Sequence, residues 1–194
     1  MGRELPAEHY DEKYGREYAD WRYDPVYSAV IDLLREIHAK RVLDVGCGTG
    51  RLGHLLHKEG IGYRGFDFSK TAIRQGLERY PGLDLFVGNV YGPSLYGAAG
   101  DYDAYIAIET LEHVDDIEVI SRLPPGATLI ASMPNFDSEG HVRHFRTAMG
   151  VRRHFRRFLR IDRMLRLGPF PEAAWWARIW VFRGSKGIQE EIQR

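Results

Sequence analysis

The sequence of 194 residues predicts an α/β protein built on a doubly wound, mostly parallel sheet. Short apolar runs typical of strands alternate with helical patterns, and the tail adds two strand-like runs at 160–167 and 175–183. The segment Gly168-Pro169-Phe170-Pro171 separates these two runs, which indicates a closing hairpin with an antiparallel last strand. The earlier predicted strands are 41–45, 62–67, 83–87, 102–108 and 127–133, and the predicted helices are 50–59, 69–79, 115–122 and 148–158.

The chain before the first strand divides into an aromatic segment and a helix. Asp24-Pro25 is typical of a helix N-cap followed by proline, and the apolar stripe after it predicts a helix that ends near Ala39. Upstream, Tyr10, Tyr14 and Tyr18 are spaced to form one stripe on a helix, and Trp21 follows them. The aromatic segment is either a helix packed on the body or a lid that shapes a substrate pocket, with Tyr14, Tyr18 and Trp21 as candidate substrate contacts.

The composition favours one ordinary globular domain over 1–194, with 1–24 as the aromatic lid and 25–194 as the core. Hydrophobic residues make up 44% of the chain and charged residues 28%. The polar N-terminus does not resemble a signal peptide, and no apolar run approaches the roughly 20 residues of a membrane span. The single cysteine, Cys47, excludes an internal disulfide. We therefore expect a cytoplasmic protein with no membrane partner.

Charge is distributed unevenly although the net charge is zero. Nine arginines and one acid, Asp162, lie between Arg143 and Arg166. This segment is either a solvated helix face beside an edge strand or a site for an anionic substrate. A nucleic-acid partner is less favoured, because the aromatic residues of the segment are spaced like core residues. The sequence indicates no oligomeric state.

The run Gly46-Cys47-Gly48-Thr49-Gly50 joins the first strand to the next helix. Glycines suit a tight strand-to-helix turn whose backbone a ligand approaches closely. Residues 48–53 also match the GxGxxG pattern of dinucleotide binders, but this register would place the third glycine inside the helix. Asp44, just before the turn, suits a cofactor with an ammonium group better than a pyrophosphate. The Tyr-x-x-x-Lys pair of short dehydrogenases is absent from the chain.

Three motifs together resemble the class I S-adenosylmethionine-dependent methyltransferases. They are VLDVGCGTG at the first strand, Asp67 in GFDFS at the end of the second, and ETLEHVDD after the fourth. The resemblance runs from about residue 20 to the C-terminus. It implies a seven-stranded sheet of order 3-2-1-4-5-7-6 with strand 7 antiparallel, and S-adenosylmethionine as cofactor with S-adenosylhomocysteine as product.

The resemblance also implies roles at the cofactor. The glycines would line the methionyl part and the ribose, and Asp44 would lie near the methionine amino group. Asp67 would accept hydrogen bonds from the ribose hydroxyls, although a helix-capping acid is the alternative, and Phe68 would lie against the adenine. Asn89 replaces the commoner aspartate at the adenine edge. The implied cofactor residues are Asp44, Gly46, Cys47, Gly48, Gly50, Asp67, Phe68, Asn89, Val90 and Ile108.

Candidate catalytic groups follow the fourth and fifth strands, at 109–113 and 135–145. Both segments lie beyond carboxyl strand ends, where open α/β sheets bind ligands. In one hypothesis a histidine, His113, His141 or His144, is a general base that deprotonates an acceptor hydroxyl. Asn135 and Arg143 are candidate substrate contacts, and Arg143 would hold an anionic group.

In a second hypothesis Glu109, Glu112 and His113, joined by His141, hold a divalent metal. Their spacing converges on one point if the segment is helical, and mixed carboxylate and imidazole ligands suit Mg, Mn or Zn. The pattern is similar to that of ubiquinone-pathway O-methyltransferases and small-RNA 2′-O-methyltransferases. A third possibility is that the glutamate and histidine only brace the cofactor pocket.

The sequence thus predicts methyl transfer to a small-molecule acceptor, at oxygen rather than nitrogen. No insertion is large enough for a separate recognition domain. The alternatives are an NAD(P)-binding oxidoreductase of Rossmann type and a non-catalytic S-adenosylmethionine-binding partner subunit.

Overall fold

The computed structural model describes residues 2–16, 20–170 and 176–187. These residues form six α-helices and seven strands. The helices are α1 Ala7–Gly15, α2 Asp24–Glu36, α3 Arg51–Lys58, α4 Lys70–Arg79, α5 Asp116–Arg122 and α6 Ala148–Phe155. The strands are β1 Arg41–Val45, β2 Gly62–Asp67, β3 Asp84–Val87, β4 Ala104–Ala107, β5 Thr128–Pro134, β6 Leu159–Leu167 and β7 Ile179–Lys186. Short 3-10 turns occupy Asp20–Tyr23, Pro93–Leu95 and Leu111–His113.

The strands form one sheet in the order β3-β2-β1-β4-β5-β7-β6. β1 to β5 pair in parallel, and β7 is antiparallel to both β5 and β6. The predicted order and closing hairpin are therefore confirmed. Two bounds near the C-terminus differ from the prediction. The helix α6 ends at Phe155 rather than at 158, and β7 begins at Ile179 rather than at 175. The glycine-rich connection between β3 and β4 contains only the 3-10 turn Pro93–Leu95.

Side chains of the central strands point alternately to two hydrophobic cores, one on each face of the sheet. On β1, Leu43 and Val45 pack on the face that α5 and α6 cover, whereas Val42 packs toward α2 and α3. Asp44 points to the second face and is buried. A single carboxylate therefore interrupts the apolar pattern of β1, next to the turn Gly46–Gly50, which we call the glycine loop.

Side chains cap the starts of α4, α5 and α6, whereas α3 follows Gly50 without a side-chain cap. Ser69 Oγ accepts a hydrogen bond from Ala72 N at the start of α4. The prediction of Asp24 as an N-cap is wrong, since Asp24 is the first residue of α2 and makes no cap bond. Its carboxylate is instead bound by the guanidinium of Arg51, at 2.6 and 2.7 Å. This ion pair ties α2 to the start of α3.

The N-terminal stripe is only partly described. Tyr10 and Tyr14 lie on α1, which ends at Gly15, and Tyr18 lies outside the described residues. Among the described residues, no helix combines the length and the apolar character needed to cross a bilayer.

Candidate functional site

A cavity of about 640 Å³ opens at the carboxyl ends of β1 to β4. The chain just beyond these strand ends forms one wall, made of Gly46, Asp67, Phe68, Asn89, Val90, Tyr91, Glu109, Thr110, His113 and Val114. The other wall is residues 3–14, which we name the N-terminal strap and which contributes Arg3, Glu4, Leu5, Pro6, Ala7, Glu8, Tyr10 and Tyr14. The sheet thus supplies the floor of the cavity and the strap covers it.

Two positions of the glycine loop, Gly46 and Gly50, require glycine. Gly46 and Gly50 both have φ of 75°, a left-handed conformation that glycine adopts without strain. A Cβ on Gly46 would lie 2.5 Å from Thr110 Oγ1, so the loop also packs closely on the chain after β4. Cys47 is half-buried in this loop, and burial raises the pKa of its thiol.

The dinucleotide-binding register is not supported. Gly53, its third glycine, lies inside α3, and a Cβ there would lie 2.4 Å from Cε1 of Tyr63. Gly53 therefore makes room for an aromatic ring of the protein itself rather than for a phosphate.

Asp67 ends β2 and lines the cavity. Its carboxylate accepts hydrogen bonds from Gly48 N and from Ser69 N, both at 2.9 Å. Burial raises the pKa of Asp67 to about 6, and the two backbone bonds oppose that rise. The residue braces the glycine loop against the start of α4, and it also presents a carboxylate at the cavity wall.

Asp44 lies beneath the glycine loop, and it is not a lining residue of the cavity. It is 3% exposed, and Oδ2 accepts a hydrogen bond of 2.7 Å from the hydroxyl of Tyr63. Burial raises the pKa of Asp44 to about 7, against the lowering effect of the Tyr63 bond.

Two acids anchor the strap, and the sequence analysis did not single out either of them. Glu4 Oε1 accepts hydrogen bonds from the Tyr91 hydroxyl at 2.5 Å and from Asp115 N at 2.8 Å. Asp11 Oδ1 accepts from Ser69 Oγ at 2.6 Å and from Thr71 N at 2.9 Å, at the start of α4. The strap is thereby fixed on both sides of the cavity.

Glu112, His113 and His141 form a cluster beside the cavity. One ligand atom of each residue lies within 4.8 Å of the others. His113 Nδ1 lies 3.0 Å from Gly140 O, and His141 Nδ1 lies 3.2 Å from Phe136 O. Because a carbonyl oxygen only accepts, both Nδ1 atoms carry the hydrogen, and each Nε2 atom presents a lone pair.

The charges in this cluster are poorly solvated. Both carboxylate oxygens of Glu112 are buried without a hydrogen-bond partner, and burial raises the pKa of this group well above its usual value. Burial also lowers the pKa of His113 to about 4 and lowers that of His141. A buried carboxylate with two free oxygens and two imidazoles fixed by carbonyls is a donor set that fits a divalent cation.

Glu109 lines the cavity but does not belong to that group of three. Its φ is 54°, a strained value for a residue with a side chain. Ser132 Oγ donates to Glu109 Oε1 and accepts from Glu109 N, both at 2.8 Å. The spacing argument placed Glu109, Glu112 and His113 on one helix, but the structure groups Glu112 and His113 with His141, and Ser132 holds the Glu109 carboxyl.

Other predicted site residues lie outside the cavity wall. His144 and Asn135 line a separate depression. The side-chain amide of Asn135 donates a hydrogen bond to Trp176 O and accepts one from Arg178 N. Trp21 is 61% exposed, and Ile108 is buried in the core.

Arg143 is held within the protein. Its Nη1 lies 2.7 Å from Asp116 Oδ1 and also contacts Nε2 of His154. Because Asp116 is fully buried, this ion pair explains the position of the guanidinium without a substrate.

Four other arginines, Arg152, Arg156, Arg157 and Arg160, line a cleft where β6 begins and β7 ends. Strand pairing places that region next to Thr128, at the amino end of β5. An anion bound there would be at the opposite end of the sheet from the cavity.

Comparison with known proteins agrees with this arrangement. A family model described as a methyltransferase domain matches residues 43–122, which contain the glycine loop, Asp67 and Glu112. Residues 43–122 thus carry a methyltransferase domain, and the sheet has the strand order that the resemblance to class I enzymes implies. The ubiquinone biosynthesis O-methyltransferase of Alkalilimnicola ehrlichii is 30% identical over 123 residues, which are 58% of this chain and 49% of that protein. The chain thus spans about half the length of this relative.

Solved methyltransferase structures share the fold. The 1,6-didemethyltoxoflavin-N1-methyltransferase of Burkholderia thailandensis superposes with a TM-score of 0.73 at 18% identity, over 94% of this chain and 87% of that chain. The magnesium protoporphyrin IX methyltransferase of Synechocystis PCC 6803 gives 0.66 at 16% identity, over 93% and 94% of the two chains. At these identities the likeness concerns the fold alone.

The cavity of the methyltransferase domain fits S-adenosylmethionine, the cofactor of this family. Gly46, Asp67 and Phe68 line the same wall, so this wall presents main chain, a carboxylate and an aromatic ring to a ligand. Asn89 and Val90 also line it, as the motif resemblance implies. Of the ten predicted cofactor residues, five line the cavity: Gly46, Asp67, Phe68, Asn89 and Val90.

Proposed function

We propose that this protein transfers a methyl group from S-adenosylmethionine to a hydroxyl group of a small-molecule acceptor. The observation that carries the proposal is the cluster of Glu112, His113 and His141 beside the cavity that fits the cofactor. Two imidazole lone pairs and an unpartnered carboxylate can take up a proton or a cation, which a hydroxyl acceptor requires and an amine with a free lone pair does not.

Binding of the cofactor is assigned to the carboxyl ends of the first three strands. Asp67 would receive the ribose hydroxyls and Phe68 would lie against the adenine, while the glycine loop would approach the methionyl part. The bound cofactor supplies a methyl group that its sulfonium already activates. The protein has to align the acceptor and exclude water.

The cluster prepares the acceptor oxygen. With Nδ1–H of His113 and His141 committed to carbonyl groups, the Nε2 atoms are the positions that accept a proton. His113 alone is a weak base because burial lowers its pKa to about 4. We therefore propose that Glu112, His113 and His141 hold a divalent cation, which would lower the pKa of the acceptor hydroxyl. Glu109, whose carboxyl is fixed by Ser132, would contact the bound cofactor and acceptor from the cavity wall.

A small acceptor suits the size of the cavity and its cover. About 640 Å³ falls within the range of small-molecule sites. The strap closes one wall through Glu4 and Asp11, and we propose that it acts as the lid that the aromatic segment predicts. The names of the ubiquinone-pathway relatives support a hydroxyl acceptor on a small molecule. The cytoplasmic location stays a prediction.

The test is methyl transfer from S-adenosylmethionine with a deuterated methyl group to a panel of phenols, catechols, sugars and amines, read by mass spectrometry. We expect label on a hydroxyl oxygen, with loss of turnover in EDTA and in His141→Ala. His57→Ala, an exposed histidine on α3, is the matched control and keeps activity. Turnover of a metal-stripped sample in EDTA would refute the cation, and transfer to amines alone would refute the acceptor class.

The two alternatives predict different results. An oxidoreductase would bind NAD rather than S-adenosylhomocysteine in a calorimetric titration, and the position of Gly53 inside α3 argues against it. A non-catalytic binder would bind S-adenosylhomocysteine and yield no labelled product from any acceptor.

A further inference from the structure

The phenol of Tyr63 reaches from β2 to the carboxylate of Asp44 on β1. The hydroxyl lies 2.7 Å from Asp44 Oδ2. Two glycines clear the path of this side chain. A Cβ on Gly53 would lie 2.4 Å from Tyr63 Cε1, and a Cβ on Gly65 would lie 2.7 Å from the Tyr63 hydroxyl oxygen. Since real Cβ atoms do not approach so closely, the sequence leaves this space for the tyrosine at two positions.

The contact lies directly under the glycine loop. Asp44 is followed by Val45 and then by Gly46, whose backbone lines the cavity. The titratable groups that face Asp44 are the phenol of Tyr63, the thiol of Cys47 and the carboxylate of Asp67. None of these groups is a cation. Among the three, only the phenol of Tyr63 stabilises the negative charge of Asp44, through its hydrogen bond.

We propose that Tyr63 is a positioning residue of the cofactor site, whose hydroxyl orients and ionises Asp44 for the ammonium group of the cofactor. This inference rests on the proposed function, because it assumes that the methionyl part of the cofactor lies over the glycine loop. It assigns to an aromatic residue of β2 a role in cofactor affinity that the glycine motif does not contain.

The arrangement makes cofactor binding depend on pH. Burial raises the pKa of Asp44 to about 7, while the Tyr63 bond lowers it. A cationic ammonium group selects the carboxylate, so below about pH 7 binding must expel a proton and affinity falls as the pH falls. Above this pH the carboxylate is already present and affinity levels off. Removal of the Tyr63 hydroxyl raises the pKa of Asp44 further and moves this window upward.

The experiment is calorimetric titration with S-adenosylhomocysteine, which carries the same ammonium group. Wild type, Tyr63→Phe and Tyr80→Phe are compared from about pH 6 to 8.5, in buffers of different ionisation heat that report released protons. Tyr63→Phe keeps the ring and is expected to bind about tenfold more weakly at pH 7, with a smaller gap at higher pH. Tyr80, which stacks on His54, is the control and should bind like wild type.

A double-mutant cycle with Asp44→Asn isolates the pair. The pKa of Asp67, about 6, also lies in this pH range, so Asp67 contributes to the proton release of every variant. The proton release due to Asp44 is therefore the difference between the wild type and Asp44→Asn. In the Asp44→Asn background, Tyr63→Phe should change affinity no further. Thermal unfolding by circular dichroism confirms that each variant is folded.

The outcomes separate the two claims. Equal affinity and equal proton release in wild type and folded Tyr63→Phe would overturn the role of Tyr63 and leave the proposed function intact. No binding of S-adenosylhomocysteine by the wild type would overturn the proposed function itself.

Discussion

Glu112→Leu is expected to stabilise the ligand-free protein while abolishing its activity. Both oxygens of the Glu112 carboxyl are buried without a partner. An unsatisfied buried polar group destabilises a fold by about 1–3 kcal/mol, and leucine has a similar size. A gain of about 2 kcal/mol corresponds to a rise in Tm of about 4–8 °C for a chain of this length.

The pH dependence of this gain follows from the raised pKa of the Glu112 carboxyl. Below the unfolded pKa of about 4.3 such an acid is neutral and costs only its unmade hydrogen bonds, and it destabilises the fold further as the pH rises above that value. The advantage of Glu112→Leu should therefore be smallest near pH 4 and larger at neutral pH.

Differential scanning fluorimetry in EDTA and with added Mn²⁺ or Mg²⁺ measures this effect. Glu78→Leu, an exposed position on α4, is the control and should shift Tm little. We expect added cation to raise the Tm of the wild type and not that of Glu112→Leu. An unchanged or lower Tm of Glu112→Leu in EDTA would show that the carboxyl has partners and would refute the reasoning.

Three further substitutions test other contacts. Asp116→Ala should lower the free energy of unfolding in urea by about 3 kcal/mol because it leaves the Arg143 charge uncompensated, and it should leave the Kd for S-adenosylhomocysteine unchanged. Asp11→Ala should speed hydrogen exchange of the strap and the dissociation of S-adenosylhomocysteine by about tenfold, since two hydrogen bonds are lost; equal rates would show that the strap is held elsewhere. His141→Ala should reduce kcat by about 100-fold or more, whereas His144→Ala should retain activity in the same assay, and the reverse order would refute the assignment of the cluster.

Much of the fold could be predicted because its determinants are local or periodic. The apolar run at 41–45, the turn after Val45 and the cap at Ser69 each act through neighbouring residues. The order of the strands came from the motif resemblance rather than from the pattern itself. The boundary of β7 was the least accurate, since its start is set by pairing with β5 rather than by its own sequence.

The site was predicted less completely because several of its contacts join distant parts of the chain. Glu4 and Asp11 lie in a polar stretch without any motif, and only the folded chain brings them to Asp115 and to α4. Tyr63 looked like an ordinary strand residue, although the glycine at 65 was a usable signal of close packing. Arg143 could not be separated from its neighbouring arginines by sequence, because its partner Asp116 is distant in sequence, on α5.

The strap also has a kinetic consequence. Ligands that occupy the cavity have to pass a segment that is bound to α4 on one side and to the chain before α5 on the other. If the strap is the lid that we propose, each catalytic cycle includes one opening and one closing of this segment, and the spent cofactor leaves when the strap opens. Such loop motions take microseconds to milliseconds and often limit turnover. Where opening of the strap is slower than methyl transfer, the rate of release sets kcat, and the contacts of Glu4 and Asp11 then determine that rate.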